Sequence, residues 1–112
     1  MPVYICQGRY TREAIRGMIA TPEDREKAVA ELFDRTGGKL LGWYMTFGDH
    51  DFLVIAEAPD TTAAAAAVIA AAAGGGVTDL KTSMGMTSAE AMKAFQAAGD
   101  LAGSFRSAGQ SA

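Results

Sequence analysis

Two apolar runs separated by only four residues constrain the fold of this chain most. Residues 40–47 (Leu-Leu-Gly-Trp-Tyr-Met-Thr-Phe) and 52–56 (Phe-Leu-Val-Ile-Ala) are rich in aromatic and aliphatic side chains, and Gly-Asp-His-Asp at 48–51 joins them. Two such runs around a short turn-forming segment predict a β-hairpin. The chain is therefore expected to build an antiparallel sheet around this pair of strands.

Strand and helix patterns alternate on both sides of the hairpin. In chain order we expect a strand at 3–8, helical segments opening at Thr11 and Pro22, the hairpin, an alanine-rich helix ended by Gly74–Gly76, a strand at 77–83, and a last helix from Thr87 through about Ala98. This β-α-β-β-α-β-α order predicts a ferredoxin-like α+β fold with strand order 4-1-3-2. Residues 1–98 form the predicted domain, and residues 99–112 are predicted to be a flexible tail.

Both faces of the predicted sheet are apolar. The two helical connections cross one face, yet both alternating phases of the strands carry large apolar side chains: Val3 and Ile5 against Tyr4 and Cys6, Leu53 and Ile55 against Phe52 and Val54. The second face presents roughly 400 Å², worth about 10 kcal/mol at most if it is covered. Self-association as a homodimer is the simplest way to cover it.

Composition limits the partners and the compartment. The 112 residues are 49% hydrophobic, carry a net charge of −3 and contain one cysteine. Scattered basic residues give no footprint for nucleic acid or an anionic membrane. A lone cysteine fits a reducing compartment, and the first residues lack the pattern of a secretory signal. We therefore expect a cytoplasmic protein that binds neither nucleic acid nor membranes.

Several segments together resemble one protein family. They are Pro2-Val3-Tyr4-Ile5, Gly8-x-Tyr10-Thr11, Gly37-Gly38-Lys39-Leu40-x-Gly42-Trp43-Tyr44-x-Thr46-x-Gly48, and Asp51-Phe52-x-Val54-Ile55-x-Glu57-Ala58-Pro59-Asp60. Over residues 1–95 the chain resembles the bacterial GYD domain family, which implies a dimeric α+β barrel and no general activity. The family's Gly-x-Tyr-Asp matches at Gly48 and Asp51, but His50 stands where the family has tyrosine.

The hairpin turn holds the only histidine. His50 lies between Asp49 and Asp51, and such neighbours can orient an imidazole for acid–base work, with Asp51 as its partner. The alternative is ordinary turn chemistry, since Asp, His and Gly are common in turns. No ligand spacing for a metal is present, and no cofactor is predicted. Haem ligation by His50 or Cys6 would rest on fold analogy alone, and Cys6 is expected to be a buried thiol.

A ligand pocket is expected between the two sheets of a dimer. Its candidate lining residues are aromatic or polar: Gln7, Trp43, Tyr44, Phe47 and Lys81. Gln7 shares a strand phase with Val3 and Ile5, which favours that phase as the one facing the cavity, since a polar group is costly under helices. The alternative for the aromatic residues is core and interface packing.

Three classes of function are consistent with these patterns. The first is a homodimeric binding or accessory domain for a small apolar or aromatic molecule. The second is a cofactor-free enzyme, oxygenase- or isomerase-like, that uses His50 with Asp49 or Asp51. The third is a structural or regulatory oligomer that binds no ligand. Whether the chain is an enzyme stays open at the level of sequence.

Overall fold

A computed structural model describes residues 1–110 of the chain. Its elements, in chain order, are β1 (Val3–Tyr10), α1 (Arg12–Ala20), α2 (Arg25–Arg35), β2 (Lys39–Met45), β3 (Phe52–Glu57), α3 (Thr61–Ala73), β4 (Val77–Gly85) and α4 (Ser88–Ala102). This is the predicted alternation, with the hairpin formed by β2 and β3.

The four strands make one antiparallel sheet in the order β2-β3-β1-β4. The predicted α+β class, ferredoxin-like topology and strand order are confirmed. This is the order that the general preference for right-handed crossovers predicts, with β3 beside β1. Strands β2 and β4 are consequently the two edges of the sheet.

Side-chain caps set where the helices begin. Thr11, Asp24, Asp60 and Thr87 precede α1 to α4, and each accepts a hydrogen bond from a backbone N–H of the first turn. These caps satisfy amide donors that have no partner inside the helix. After α2 the chain turns at Gly37, whose φ of 83° is a conformation that glycine adopts without strain.

The last helix is longer than its sequence pattern indicated. α4 ends at Ala102, four residues beyond the expected end near Ala98, and it passes through Gly99. A single glycine costs a helix only about 1 kcal/mol relative to alanine, so it does not force a stop. The proposed flexible tail therefore begins inside a helix, and its residues 111–112 lie outside the described part of the chain.

The hydrophobic core lies between the sheet and the helices that connect its strands. Phe33 of α2 and Ala67 of α3 pack on a sheet face formed by Phe52, Val54 and Ala56. All five side chains are buried. This helix-covered face carries the Tyr4 and Cys6 phase of β1, which pairs with Ala56 and Val54.

The other face of the sheet has no covering layer in the described chain. It carries the Val3, Ile5 and Gln7 phase of β1, as expected from the position of Gln7, and it is called the open face below. The last helix does not cover it: α4 is exposed along its length except for half-buried Ala91. The chain measures 63 × 31 × 22 Å with a radius of gyration of 18.3 Å, against about 13 Å for a compact domain of this length.

No helix within residues 1–110 is both long enough and apolar enough to cross a bilayer.

Candidate functional site

A cavity of about 310 Å³ lies between the helix-covered face of the sheet and the helices α2 and α3. Cys6 and Trp43 line it from the sheet, Leu32 from α2, and Ala67 and Ala71 from α3. Its walls are predominantly apolar. Small-molecule sites have this character, with a few polar groups that fix the ligand's orientation.

The composition of α3 explains why space remains here. The helix reads Thr-Thr-Ala-Ala-Ala-Ala-Ala-Val-Ile-Ala-Ala-Ala-Ala, and it presents Ala67, Ala70 and Ala71 to the cavity. A methyl group reaches only a short way from the helix, so α3 cannot fill the gap that separates it from α2. A native core normally closes such a gap with larger side chains, because close packing is favourable.

A polar pair lies among the apolar walls. Tyr10, at the end of β1, and Arg25, at the start of α2, both line the cavity. Burial raises the pKa of the Tyr10 phenol above its ordinary value, and the adjacent Arg25 guanidinium opposes that rise. The phenol is therefore neutral at physiological pH. Arg25 Nη1 also donates to Glu23 Oε1 at 2.8 Å, which leaves its other donors for Tyr10 or a ligand.

The hairpin loop is tied to the end of β1 beside this pair. The Asp51 carboxylate Oδ2 accepts a hydrogen bond from the Tyr10 backbone N–H at 2.9 Å. The Asp51 N–H donates to the Gly8 carbonyl at 2.8 Å. Thr46 closes the loop, because its hydroxyl donates to the His50 carbonyl at 2.8 Å. The family-matching aspartate thus acts here as a structural clamp that holds Tyr10 in position.

His50 lies outside the cavity. It is half-buried in the loop, and it is not among the residues that line the cavity. Only its backbone carbonyl has a hydrogen bond among the described residues. The carboxylate of Asp51, its predicted partner, is already bonded to the Tyr10 amide. His50 as acid or base stays a prediction that this geometry does not advance.

The predicted pocket residues are divided between the two faces of the sheet. Gln7, Tyr44 and Lys81 lie in one row across the open face, through the pairs Tyr44–Leu53, Leu53–Gln7 and Gln7–Lys81. Trp43 pairs with Val54 and lies on the helix-covered face. Neighbouring residues of a strand point to opposite faces, so Trp43 and Tyr44 cannot line one surface.

Two other residues considered in the sequence analysis are Cys6 and Phe47. Cys6 lies on the floor of the cavity, half-buried and free of any disulfide, and Phe47 is 91% exposed in the hairpin loop. Within residues 1–110, no three His, Cys, Asp or Glu side chains are grouped closely enough to hold a metal ion.

Sequence reasoning missed Tyr10 and Arg25 as site residues. They are 15 positions apart with α1 between them. No spacing rule connects the end of a strand with the start of the second helix after it. The only signal was Tyr10's place in the Gly8-x-Tyr10-Thr11 segment.

Comparison with known proteins gives a family and a fold. The family model described as GYD domain matches residues 4–95. The crystal structure of TTHA0845 from Thermus thermophilus is similar with a TM-score of 0.51 at 15% identity, over 79% of this chain and 96% of that one. An AsnC family transcriptional regulator from Agrobacterium tumefaciens gives a TM-score of 0.49 at 18% identity, over 77% and 50%. No curated protein matches the sequence.

Proposed function

The chain belongs to the GYD domain family, and we propose that this member is a homodimeric domain that binds a small apolar or aromatic molecule in the cavity between its sheet and helices. The observation that carries the proposal is the cavity itself, with apolar walls and the Tyr10–Arg25 pair. An apolar body with one hydrogen-bond acceptor matches this arrangement, because Arg25 supplies donors and no acceptor.

The size of the cavity restricts the ligand. Its volume of about 310 Å³ is at the lower end of the ordinary range for small-molecule sites, roughly 300–1,000 Å³. A single-ring aromatic compound or a short branched acyl compound would occupy it. Larger ligands would require α2 and α3 to move apart.

The dimer part of the proposal rests on the open face. Val3, Ile5, Leu53 and Ile55 are half-buried there, without a covering layer in the described chain. Removing that apolar surface from water is favourable, and a second copy has a surface of the same shape and character. Placing a charge among these four apolar side chains should therefore weaken the dimer, and Ile55→Lys is the variant that tests it.

Trp43 provides a built-in reporter for ligand binding. It is the only tryptophan of the chain and it lines the cavity. Candidate ligands are the compounds that co-purify with the protein from its source, found by native mass spectrometry, and a panel of single-ring carbonyl and carboxyl compounds. Titration of Trp43 fluorescence gives the affinity for each.

Two alanines of α3 give a matched pair of variants. Ala71→Leu fills the cavity, and Ala66→Leu adds the same group on the exposed side of the same helix. We expect Ala71→Leu to reduce affinity at least about tenfold, since the ligand then clashes with the new side chain, and Ala66→Leu to leave it unchanged. Equal affinities for both variants would place the ligand elsewhere and overturn the cavity as the site.

The enzyme alternative is decided by turnover of a ligand found in this way. Conversion of that ligand, abolished by His50→Ala with affinity unchanged, would assign acid–base chemistry to the loop. Complete absence of ligands from both screens would favour the structural or regulatory oligomer instead. The cytoplasmic location of the protein stays a prediction.

A further inference from the structure

Helix α4 carries an apolar stripe that packs closely against no other element of the described chain. Met92 and Phe95 are 58% and 79% exposed, and Ala91, Gly99 and Ala102 lie on the same side of the helix at helical spacing. Leu101 is 67% exposed but points away from this stripe, about 120° around the helix from Phe95.

A helix of this length needs packing to be stable. α4 has 15 residues, and isolated helices of about 12–15 residues are marginal in water. The reciprocal hydrogen bonds of Thr87 and Glu90 stabilise its first turn but do nothing for the rest. We therefore expect the stripe to pack against another surface.

A complementary apolar surface lies at the opposite edge of the sheet. We call it the apolar edge, and it consists of exposed side chains of β2 and the following loop: Leu41, Tyr44 and Phe47, between 47% and 91% exposed. Met45 is not part of it, because Met45 pairs with Phe52 on the helix-covered face. α4 follows β4, which is the other edge strand. Three inter-strand spacings, about 14 Å, separate the two edges, and α4 and the apolar edge are not packed together in one chain.

A twofold axis brings the two surfaces together. If two open faces meet about an axis parallel to the strands, the β4 edge of each copy lies over the β2 edge of the other. We propose that α4 of each copy docks its stripe on the apolar edge of the second copy, reciprocally. The proposal rests on the open-face dimer proposed above.

The area of the interface supports this arrangement. Two sheet faces of roughly 400 Å² each give about 800 Å² in total, below the ~1,200 Å² at which stable interfaces begin. α4 is about 22 Å long and ~10 Å wide, so it adds roughly 220 Å² from each copy. The total then reaches about 1,200 Å².

The first test compares two serine variants of α4 by analytical ultracentrifugation of the full chain. Phe95→Ser removes the centre of the stripe, and Leu101→Ser removes another largely exposed apolar group, which lies outside it. We expect Phe95→Ser to raise the dimer dissociation constant at least about tenfold and Leu101→Ser to change it less than about twofold. Equal effects of the two variants would overturn the docking of α4.

The second test locates the contact by cross-linking between copies. One chain carries Cys6→Ala with Tyr44→Cys, and another carries Cys6→Ala with Met92→Cys. A short bis-maleimide should link the two different chains when they are mixed. A third chain with all three substitutions, diluted below the dissociation constant, should give no internal link. Internal linkage at high dilution, or no linkage between mixed chains, overturns the proposal.

The outcomes separate this inference from the proposed function. If Ile55→Lys dissociates the dimer and Phe95→Ser does not, the open-face dimer stands and the docking of α4 falls. If wild type is monomeric at all accessible concentrations, the dimer and the docking of α4 both fall. Ligand titration of Trp43 in the Phe95→Ser variant reports the cavity independently of either result.

Discussion

The carboxylate of Asp51 accepts a hydrogen bond from the backbone N–H of Tyr10 at 2.9 Å, and this bond joins the hairpin loop to the end of β1. A charged acceptor makes such a bond stronger than a neutral one. The aspartate that matches the family's motif thus has a structural role here, 41 residues along the chain from its partner.

Replacing Asp51 should destabilise the protein and disturb the cavity. We expect Asp51→Ala to lower the free energy of unfolding by about 1–3 kcal/mol, because the Tyr10 amide loses its acceptor. Urea denaturation measures the loss. Asp49→Ala is the control, since Asp49 is exposed in the same loop and should change stability by less than about 0.5 kcal/mol. Similar losses for both variants would contradict the role assigned to the Asp51 bond.

Removing the Tyr4 hydroxyl should stabilise the chain. The hydroxyl is buried, and it has no hydrogen-bond partner among the described residues. A buried polar group without a partner is unfavourable by roughly 1–3 kcal/mol, so Tyr4→Phe should raise the free energy of unfolding by about 1 kcal/mol. Thermal and urea unfolding check this against Tyr44→Phe, whose side chain is exposed. A decrease for Tyr4→Phe would show that its hydroxyl is bonded in solution.

The free energy of unfolding should decrease at alkaline pH, in part because the Tyr10 phenol ionises. Burial raises the pKa of its phenol above the ordinary 10.0. The neutral form is therefore favoured by folding, and this contribution is complete below the unfolded pKa and is lost as pH rises through the folded pKa. Unfolding free energies measured from about pH 8 to about pH 11 should decline less steeply in Tyr10→Phe than in wild type. Identical slopes would contradict the buried environment.

The start of α4 should respond to acid and to loss of its cap. Thr87 Oγ1 accepts from the Glu90 N–H at 3.2 Å, and Glu90 Oε1 accepts from the Thr87 N–H at 3.0 Å. The bond from the Thr87 amide lowers the pKa of Glu90, so its contribution is present above the unfolded pKa and is lost as pH falls through the folded one.

Thr87→Ala should therefore destabilise α4 by about 1 kcal/mol. The amide hydrogens of residues 88–102 should then exchange faster than in wild type. Denaturation of the sheet in the monomer should be unchanged, since α4 is not packed on it. A cooperative loss of stability across the whole monomer would show that α4 belongs to the core.

Much of the fold was predictable from local patterns. Four residues between two apolar runs specify a hairpin, and glycines after α2 and α3 mark where those helices end. The position of Gln7 indicated which strand phase faces away from the helices, because an amide is costly beneath them. The end of α4 was misjudged because a glycine such as Gly99 weakens a helix without breaking it.

The sequence by itself determined the order of the elements, because caps, turns and alternation act between residues close in the chain. The strand order followed from that order through the general preference for right-handed crossovers. Large apolar residues in both strand phases were also visible in the sequence. Only the tertiary structure decided the cavity, because its volume depends on how far the alanine helix lies from α2. It also placed Tyr10 beside Arg25 and assigned Trp43 and Tyr44 to opposite faces. Those relationships depend on the register and packing of segments distant in sequence, which no local pattern encodes.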